Sequence, residues 1–304
     1  MEAAGDSVNL ISRTWRSTLG RKYVMALSGA VLFLFVVGHL AGNLQVLGSP
    51  ALINTYAHFL QSKAGLLWGA RLGLLCCVGL HIAAAISLSV DNKTARPQPY
   101  AVPAAYGSSR ASRTMIVSGL VILAFVVYHL AHFTALLPGV NGVGDFHKLT
   151  TTLHGESVPD VYGMMVLGFQ VWWVVLFYLV AQGLLFMHLG HGVAAMFQSL
   201  GLRDHHWWPR IAALARGASI AIFAGYAIIP IAIFLRVVGA EYAERARHQL
   251  AGATEIRSDP AAFGWTLSTR MTRPAPEDRP APTAASAGSI GSRAGSDSVS
   301  GHSH

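Results

Sequence analysis

Six histidines of this chain lie inside long stretches free of charge: His39, His81, His129, His132, His188 and His191. Their settings are alike, in "VVGHLAGNL", "VGLHIAAA", "VYHLAHF" and "FMHLGHG". An imidazole taken out of water must regain its hydrogen bonds or bind a metal, so each position is costly unless it has a task. A zinc or manganese carrier would set acidic oxygens beside its histidines, and a proton pump would carry Asp or Glu along its relay. These stretches hold neither, and only Arg71 stands at an end of one. Neutral imidazoles without carboxylates suit bis-histidine haem, where two facing helices each give the iron one axial nitrogen. Four helices with one ligand each would hold two haems. The chain has no C-x-x-C-H, so the expected haem is b-type, bound without a covalent link.

Hydropathy defines the elements that must position these residues. Of 304 residues, 53% are hydrophobic and only 12% charged, against about 25% charged in a soluble domain. Charge-free intervals run over 23–62, 72–90, 114–144, 161–202 and 217–235. Roughly 20 residues cross the hydrocarbon as a helix, and Gly48-Ser49-Pro50 and Pro138-Gly139 end the first and third. The expected spans are 23–47, 66–90, 114–137, 161–192 (with an extension to 198 left open) and 215–238. The fold class is an all-α membrane protein, five transmembrane helices bundled around two b haems. Its expected layout is a cytoplasmic segment 1–22, a cytochrome b domain 23–240 and an outer tail 241–304, mostly disordered. After about Ser258 that tail is rich in Pro, Ala, Ser and Gly.

Residues 15–22 are basic, but the apolar run behind them is too long for a signal-peptide core, so the first span is expected to stay in the mature protein. Cys76 and Cys77, adjacent in the second span, fit neither a disulfide framework nor a metal motif and read as packing residues. With the N-terminus inside, eleven Lys and Arg fall in cytoplasmic segments and three (Lys63, Arg71, Lys148) in outer loops. This asymmetry predicts an N-inside, C-outside protein of the cytoplasmic membrane. The net charge of +8 is thus a topology signal, with no pattern for nucleic acid.

Depth pairs the histidines. His39 lies 17 residues past Lys22 and His129 lies 16 past Arg113, both about 25 Å from the inner boundary at 1.5 Å per residue. His81 lies 10 before Asp91 and His188 lies 15 before Arg203, about 15–22 Å from that boundary by the same rise. The first two suit an outer haem and the second two an inner one. Gly38, Gly42, Gly79, Gly183, Gly190 and Gly192 lie nearby; a flat macrocycle needs small residues at the helix backbone, and helix packing uses them too. His132 and His191 each follow a ligand candidate by three residues, on the same face. Either can be the ligand, bond a haem propionate or serve a quinone. His58, His147, His154, His205 and His206 fall in loops, with Trp207 and Trp208 as interface anchors.

The chain resembles the membrane anchor of succinate:quinone oxidoreductases (succinate dehydrogenase and fumarate reductase), in the single-chain, five-helix, dihaem cytochrome b class. The resemblance is carried by "GRKYVMALSG", "GHLAGNLQV", "INTYAHFLQ", "GLHI", "SRASRTMIVSG", "YHLAHF" and "MHLGHGVAAMFQSLG", in that order over about residues 12–240. It implies His39, His81, His129 and His188 as axial ligands, favouring the first histidine of each doublet. It implies cytoplasmic flavoprotein and iron–sulfur partners, a quinone acceptor (usually menaquinone), and room for an oligomer of the whole complex. Succinate chemistry would lie in the partners, with only quinone reduction in this chain. Some relatives carry a glutamate two residues before the fourth ligand; here it is Phe186. Asn43, Gln45 and His58 are candidates for quinone contact. The alternatives are the cytochrome b of a hydrogenase or formate dehydrogenase, and a haem-free histidine-based metal transporter.

Overall fold

The computed structural model describes residues 12–95 and 110–258. The chain divides into two units, Met1–Asp259 and Pro260–His304. The second unit, and with it the tail expected to be disordered, lies outside the described residues. So does most of the basic connection 91–113.

The first unit is helical almost throughout. Helix α1 (Thr18–Asn43) begins where the Ser17 hydroxyl accepts from the Gly20 N–H at 2.9 Å, and it runs on into a 3-10 turn, Leu44–Leu47. Helix α2 (Pro50–Ser62) starts on a proline, whose missing N–H costs nothing in a first turn. Helices α3 (Ala64–Thr94) and α4 (Arg110–Phe133) follow. A hairpin of β1 (Thr150–Leu153) and β2 (Glu156–Pro159) comes next, with Leu153 opposite Glu156. Its two turn residues, His154 and Gly155, both have positive φ (52° and 84°), as a tight primed turn requires. Then come α5 (Val161–Gly168), α6 (Trp172–Ser199), α7 (Trp208–Phe234) and α8 (Ala240–Ser258).

Among the described residues, five stretches are long and apolar enough to cross a membrane: Thr18–Leu47, Ala64–Thr94, Met115–Phe133, Trp172–Ser199 and Trp208–Phe234. The protein is a multi-pass, all-α membrane bundle. Apolar side chains such as Leu34, Leu72, Leu75, Val127 and Ile220 are exposed along these spans, as lipid-facing residues must be. Helix α1 packs against α3, α6 and α7, while α4 packs chiefly against α6. Within α7, Pro230 has no N–H for the carbonyl of Tyr226 four residues back. The Gln182 side chain of α6 donates to that carbonyl instead, at 3.4 Å.

Several span boundaries depart from the sequence expectation; the fifth, expected over 215–238, runs from Trp208 to Phe234, with Pro209 in its first turn and Arg236 left-handed (φ 59°) just past its end. The stretch 161–192 is not one helix: α5 stops at Gly168, and α6 starts afresh at Trp172 and runs to Ser199. At Gly168, the last residue of α5, a Cβ would lie 2.9 Å from His132 Nε2, so His132 packs where a side chain would stand. The third span ends at Phe133, short of 137, because Leu136 turns left-handed (φ 49°) and Leu137 N–H closes on the Ala131 carbonyl.

The apolar core lies at one end of the bundle. Val46, Ile53, Phe146, Leu149, Val166, Leu167 and Ile233 meet there, joined by Ala243 and Ala246 of α8. This cap is built from α2, the hairpin, α5 and α8, at the end opposite Thr18. The first part of the segment expected as tail is therefore an ordered, packed helix. Asp160 holds the cap together: its buried carboxylate accepts from Asn54 Nδ2 (2.9 Å), Gly163 N–H (3.0 Å) and Tyr242 O–H (2.7 Å). Burial first, and then that carboxylate, push the Tyr242 hydroxyl well above the usual phenol range.

Candidate functional site

The spans bring four histidines together as two pairs. His39 of α1 faces His129 of α4, ring centres 5.7 Å apart and planes at 84°. His81 of α3 faces His188 of α6, ring centres 6.4 Å apart and planes at 62°. Neither pair joins helices that pack closely on one another; each imidazole pair bridges a gap. All four rings are half-buried. The first pair lies near the cap, and the second nearer the Thr18 end. His81 stands thirteen residues before the end of α3 and His188 eleven before the end of α6, a closer match than charge positions give.

Local bonds leave a free nitrogen on the ring. His81 Nδ1 is 3.1 Å from the Met25 carbonyl, which can only accept, so Nδ1 carries the proton and Nε2 keeps its lone pair. Ser28 lies 3.4 Å from the same nitrogen. His188 Nδ1 is 3.3 Å from the Ser118 hydroxyl. That hydroxyl donates to the Met115 carbonyl at 3.0 Å, so it accepts from the imidazole, and again Nε2 is free. His129 Nδ1 is 3.1 Å from the Tyr178 hydroxyl. Metal-bound histidines regularly engage their second nitrogen in this way. Gly29 makes room: a Cβ there would stand 3.1 Å from His81 Cε1.

These residues fit a haem. Two metal–nitrogen bonds of about 2 Å plus two ring half-widths come to roughly 6 Å between ring centres, and the pairs lie at 5.7 and 6.4 Å. Each pair offers two ligands. Among the described residues no three His, Cys, Asp or Glu side chains gather to hold an ion. A metal bound at either pair would need its remaining ligands from outside these side chains, as a porphyrin's nitrogens supply. A Cβ on Gly38, Gly79 or Gly183 would meet nothing within 4 Å. Gly42, by contrast, is filled by helix packing, since a Cβ there would lie 2.8 Å from the Tyr56 ring. A Cβ on Gly190 would meet Ser219 at 3.7 Å and one on Gly192 would meet Met115 at 3.9 Å, so both face packed neighbours.

The remaining candidates sit elsewhere. His132 is fully buried, stacked on Phe133 at 3.9 Å, with Nδ1 3.2 Å from the Tyr178 hydroxyl. His191 is half-buried on α6. Neither makes a ring contact with a histidine of another span. Asn43 turns back to donate to the His39 carbonyl at 2.7 Å. Gln45 lies half-buried in the 3-10 turn. His58 is on the surface of α2, 4.0 Å from Glu156. Phe186 packs against Phe223 of α7, ring centres 5.8 Å apart. Cys76 and Cys77 are free thiols. At the Thr18 end Arg21 joins α1 to α3, pairing with Asp91 at 2.5 Å and bonding Ser87.

Sequence reasoning missed Ser28, Ser118, Tyr178 and the carbonyl of Met25. Ser28 and Ser118 were legible as lone hydroxyls in apolar spans; Tyr178 was hidden among aromatic neighbours. Comparison with protein-family models, with curated proteins and with solved structures returns no match.

Proposed function

We propose that this chain is the membrane-anchor and electron-transfer subunit of a succinate:quinone oxidoreductase. The observation that carries the haem part of this reading is the two cross-span imidazole pairs, with Nδ1 of three of the four rings engaged by the protein. The succinate part rests on the ordered sequence resemblance. His39 with His129, and His81 with His188, would each hold the iron of one b haem. Haem held there would supply one-electron carriers between an iron–sulfur partner and a quinone, menaquinone being the acceptor that the resemblance implies.

Met25, Ser118 and Tyr178 orient the ligand rings. The apolar walls of the spans keep water from the pairs. The basic Thr18 end, which includes Lys93 and Arg210, is the cytoplasmic face and receives the iron–sulfur and flavoprotein subunits. The cap then lies on the outer side. Phe186 gives the fourth span no carboxylate for proton transfer beside its ligand.

The test is a reduced-minus-oxidised visible spectrum of the purified chain, with haem assayed per mole of protein. The expected result is two b haems per chain. A protein without haem absorbance would refute the reading and favour a histidine-based transporter. Co-purified flavin and iron–sulfur proteins with succinate activity distinguish it from the cytochrome b of a hydrogenase or formate dehydrogenase.

A further inference from the structure

Tyr178 places one hydroxyl between two histidines of α4. Its oxygen is 3.1 Å from His129 Nδ1 and 3.2 Å from His132 Nδ1. The phenol is 4% exposed and His132 0%, so no bulk water shares this work. Phe125, Phe133 and Phe169 pack around the phenol ring and fix it in place.

A phenol has one proton. It can donate to one imidazole and must accept from the other. In one arrangement His129 Nδ1–H donates to Tyr178, and Tyr178 donates to His132 Nδ1. In the reverse arrangement His132 donates to Tyr178 and Tyr178 donates to His129, which puts the His129 proton on Nε2. Of these two arrangements, the first leaves His129 Nε2 able to bind a metal. It also puts the His132 proton on Nε2, a buried atom with no hydrogen-bond partner. In that arrangement His132 Nδ1 is the acceptor at the end of the hydrogen-bond chain.

We infer that Tyr178 is the positioning residue of His129, and that His132 sets the direction of the Tyr178 hydroxyl. This rests on the reading of His129 as an axial ligand. By accepting a hydrogen bond from Nδ1–H, Tyr178 makes His129 a stronger electron donor to a metal on Nε2. Donating its own hydrogen bond to His132 makes the Tyr178 oxygen a better acceptor, because bonds in such a chain polarise one another. The other site is built differently, with a backbone carbonyl on His81 and a serine on His188. The phenol relay therefore acts on one site alone.

The experiment is a redox titration of the visible spectrum on the purified full-length protein, with ferric low-spin electron paramagnetic resonance. Tyr178→Phe removes the oxygen and keeps the ring. The expected result is two haems retained and an upward midpoint shift confined to the haem that His39→Ala removes. His132→Leu should move the same haem in the same direction by less. His132→Asn, whose carboxamide oxygen can stand where Nδ1 stands, should restore it.

Both haems present with both midpoints unmoved in Tyr178→Phe overturns the inference while the dihaem reading survives. A shift on the haem that His81→Ala removes overturns it too. If the wild-type chain carries no haem, the function reading fails and this inference with it. Should Tyr178→Phe lose both haems through misfolding, the His132 pair of variants decides by the same criterion.

Discussion

Substituting His39 and His129 by alanine, singly and together, separates shared ligation from independent roles. The rings lie 5.7 Å apart, so both imidazoles belong to one site. His39→Ala leaves no substitute nearby: Tyr226, with its ring 6.3 Å from His39, has its hydroxyl committed to the Val36 carbonyl at 2.8 Å. Asn43 is likewise committed to the His39 carbonyl. Loss of an outer-shell partner alone lowers metal affinity about 10–100-fold, and loss of an axial ligand goes further and empties the site. Each single variant should therefore retain about half the haem, as one intact bis-imidazole site. The double variant should also retain about half, because the second change finds its site already empty. His39→Ala combined with His81→Ala should retain none. The assay is pyridine haemochrome per mole of purified protein, with difference spectra to identify the missing component. A His39→Ala, His129→Ala protein with no haem, or single variants that remove different spectral components, would refute the pairing.

Crosslinks from the iron–sulfur subunit should reach Lys93, which is exposed at the Thr18 end of the bundle; capture only by Lys63 or Lys148, in the connections on the cap side, would put the docking face at the wrong end. Truncation after Ser258 should keep both haems, and loss of either would make the tail a structural element. Tyr242→Phe deletes the donor to Asp160 and should cost about 2 kcal/mol, the value of a hydrogen bond to a charged group. Faster amide exchange in α8 with haem retained is the expected signature, and unchanged exchange would show that the bond does not hold the helix. Succinate-dependent menaquinone reduction in sealed, oriented vesicles should quicken under an imposed potential, since outward electron movement is worth up to about 2.3 kcal/mol per 100 mV. Rates indifferent to the potential would mean a compensating proton path or a quinone site on the inner side.

The spans were legible because charge is so costly in hydrocarbon that its absence outlines them. The four paired histidines were legible because rise per residue turns sequence spacing into depth. The break before Trp172 was not, since no charge marks it: Gly168 yields to the buried His132 ring, a contact between segments far apart in the chain. Helix α8 falls in the segment 241–304 expected as tail, whose Pro, Ala, Ser and Gly bias begins only after about Ser258. "AEYAERARHQLAG" is rich in helix formers, and the Glu244–Arg247 pair at 2.8 Å is a local sign of helix. The hairpin was signalled only by His154-Gly155. Tyr178 was out of reach because its role depends on the rotation of α6 against α4, which a single apolar sequence does not encode visibly.

The two histidine sites share their supports. Helix α1 supplies His39 to the cap-side pair and the Met25 carbonyl and Ser28 to His81 of the other. Helix α6 supplies His188 to the second pair and Tyr178 to His129 of the first. Helix α4 supplies His129 to the first and Ser118 to His188 of the second. The spacing repeats along all three: eleven residues from Ser28 to His39, eleven from Ser118 to His129 and ten from Tyr178 to His188. At 1.5 Å per residue each helix carries its two contributions about 15–17 Å apart. Three rods of equal span, each touching both levels, fix the distance between the sites as well as the sites themselves. A shift of α1 along its axis would pull His39 from His129 and the Met25 carbonyl from His81 together. The spacing of the two levels is therefore a property of the bundle, and holding it constant requires that α1 and α4 keep their packing on α6 and that α3 keep its packing on α1.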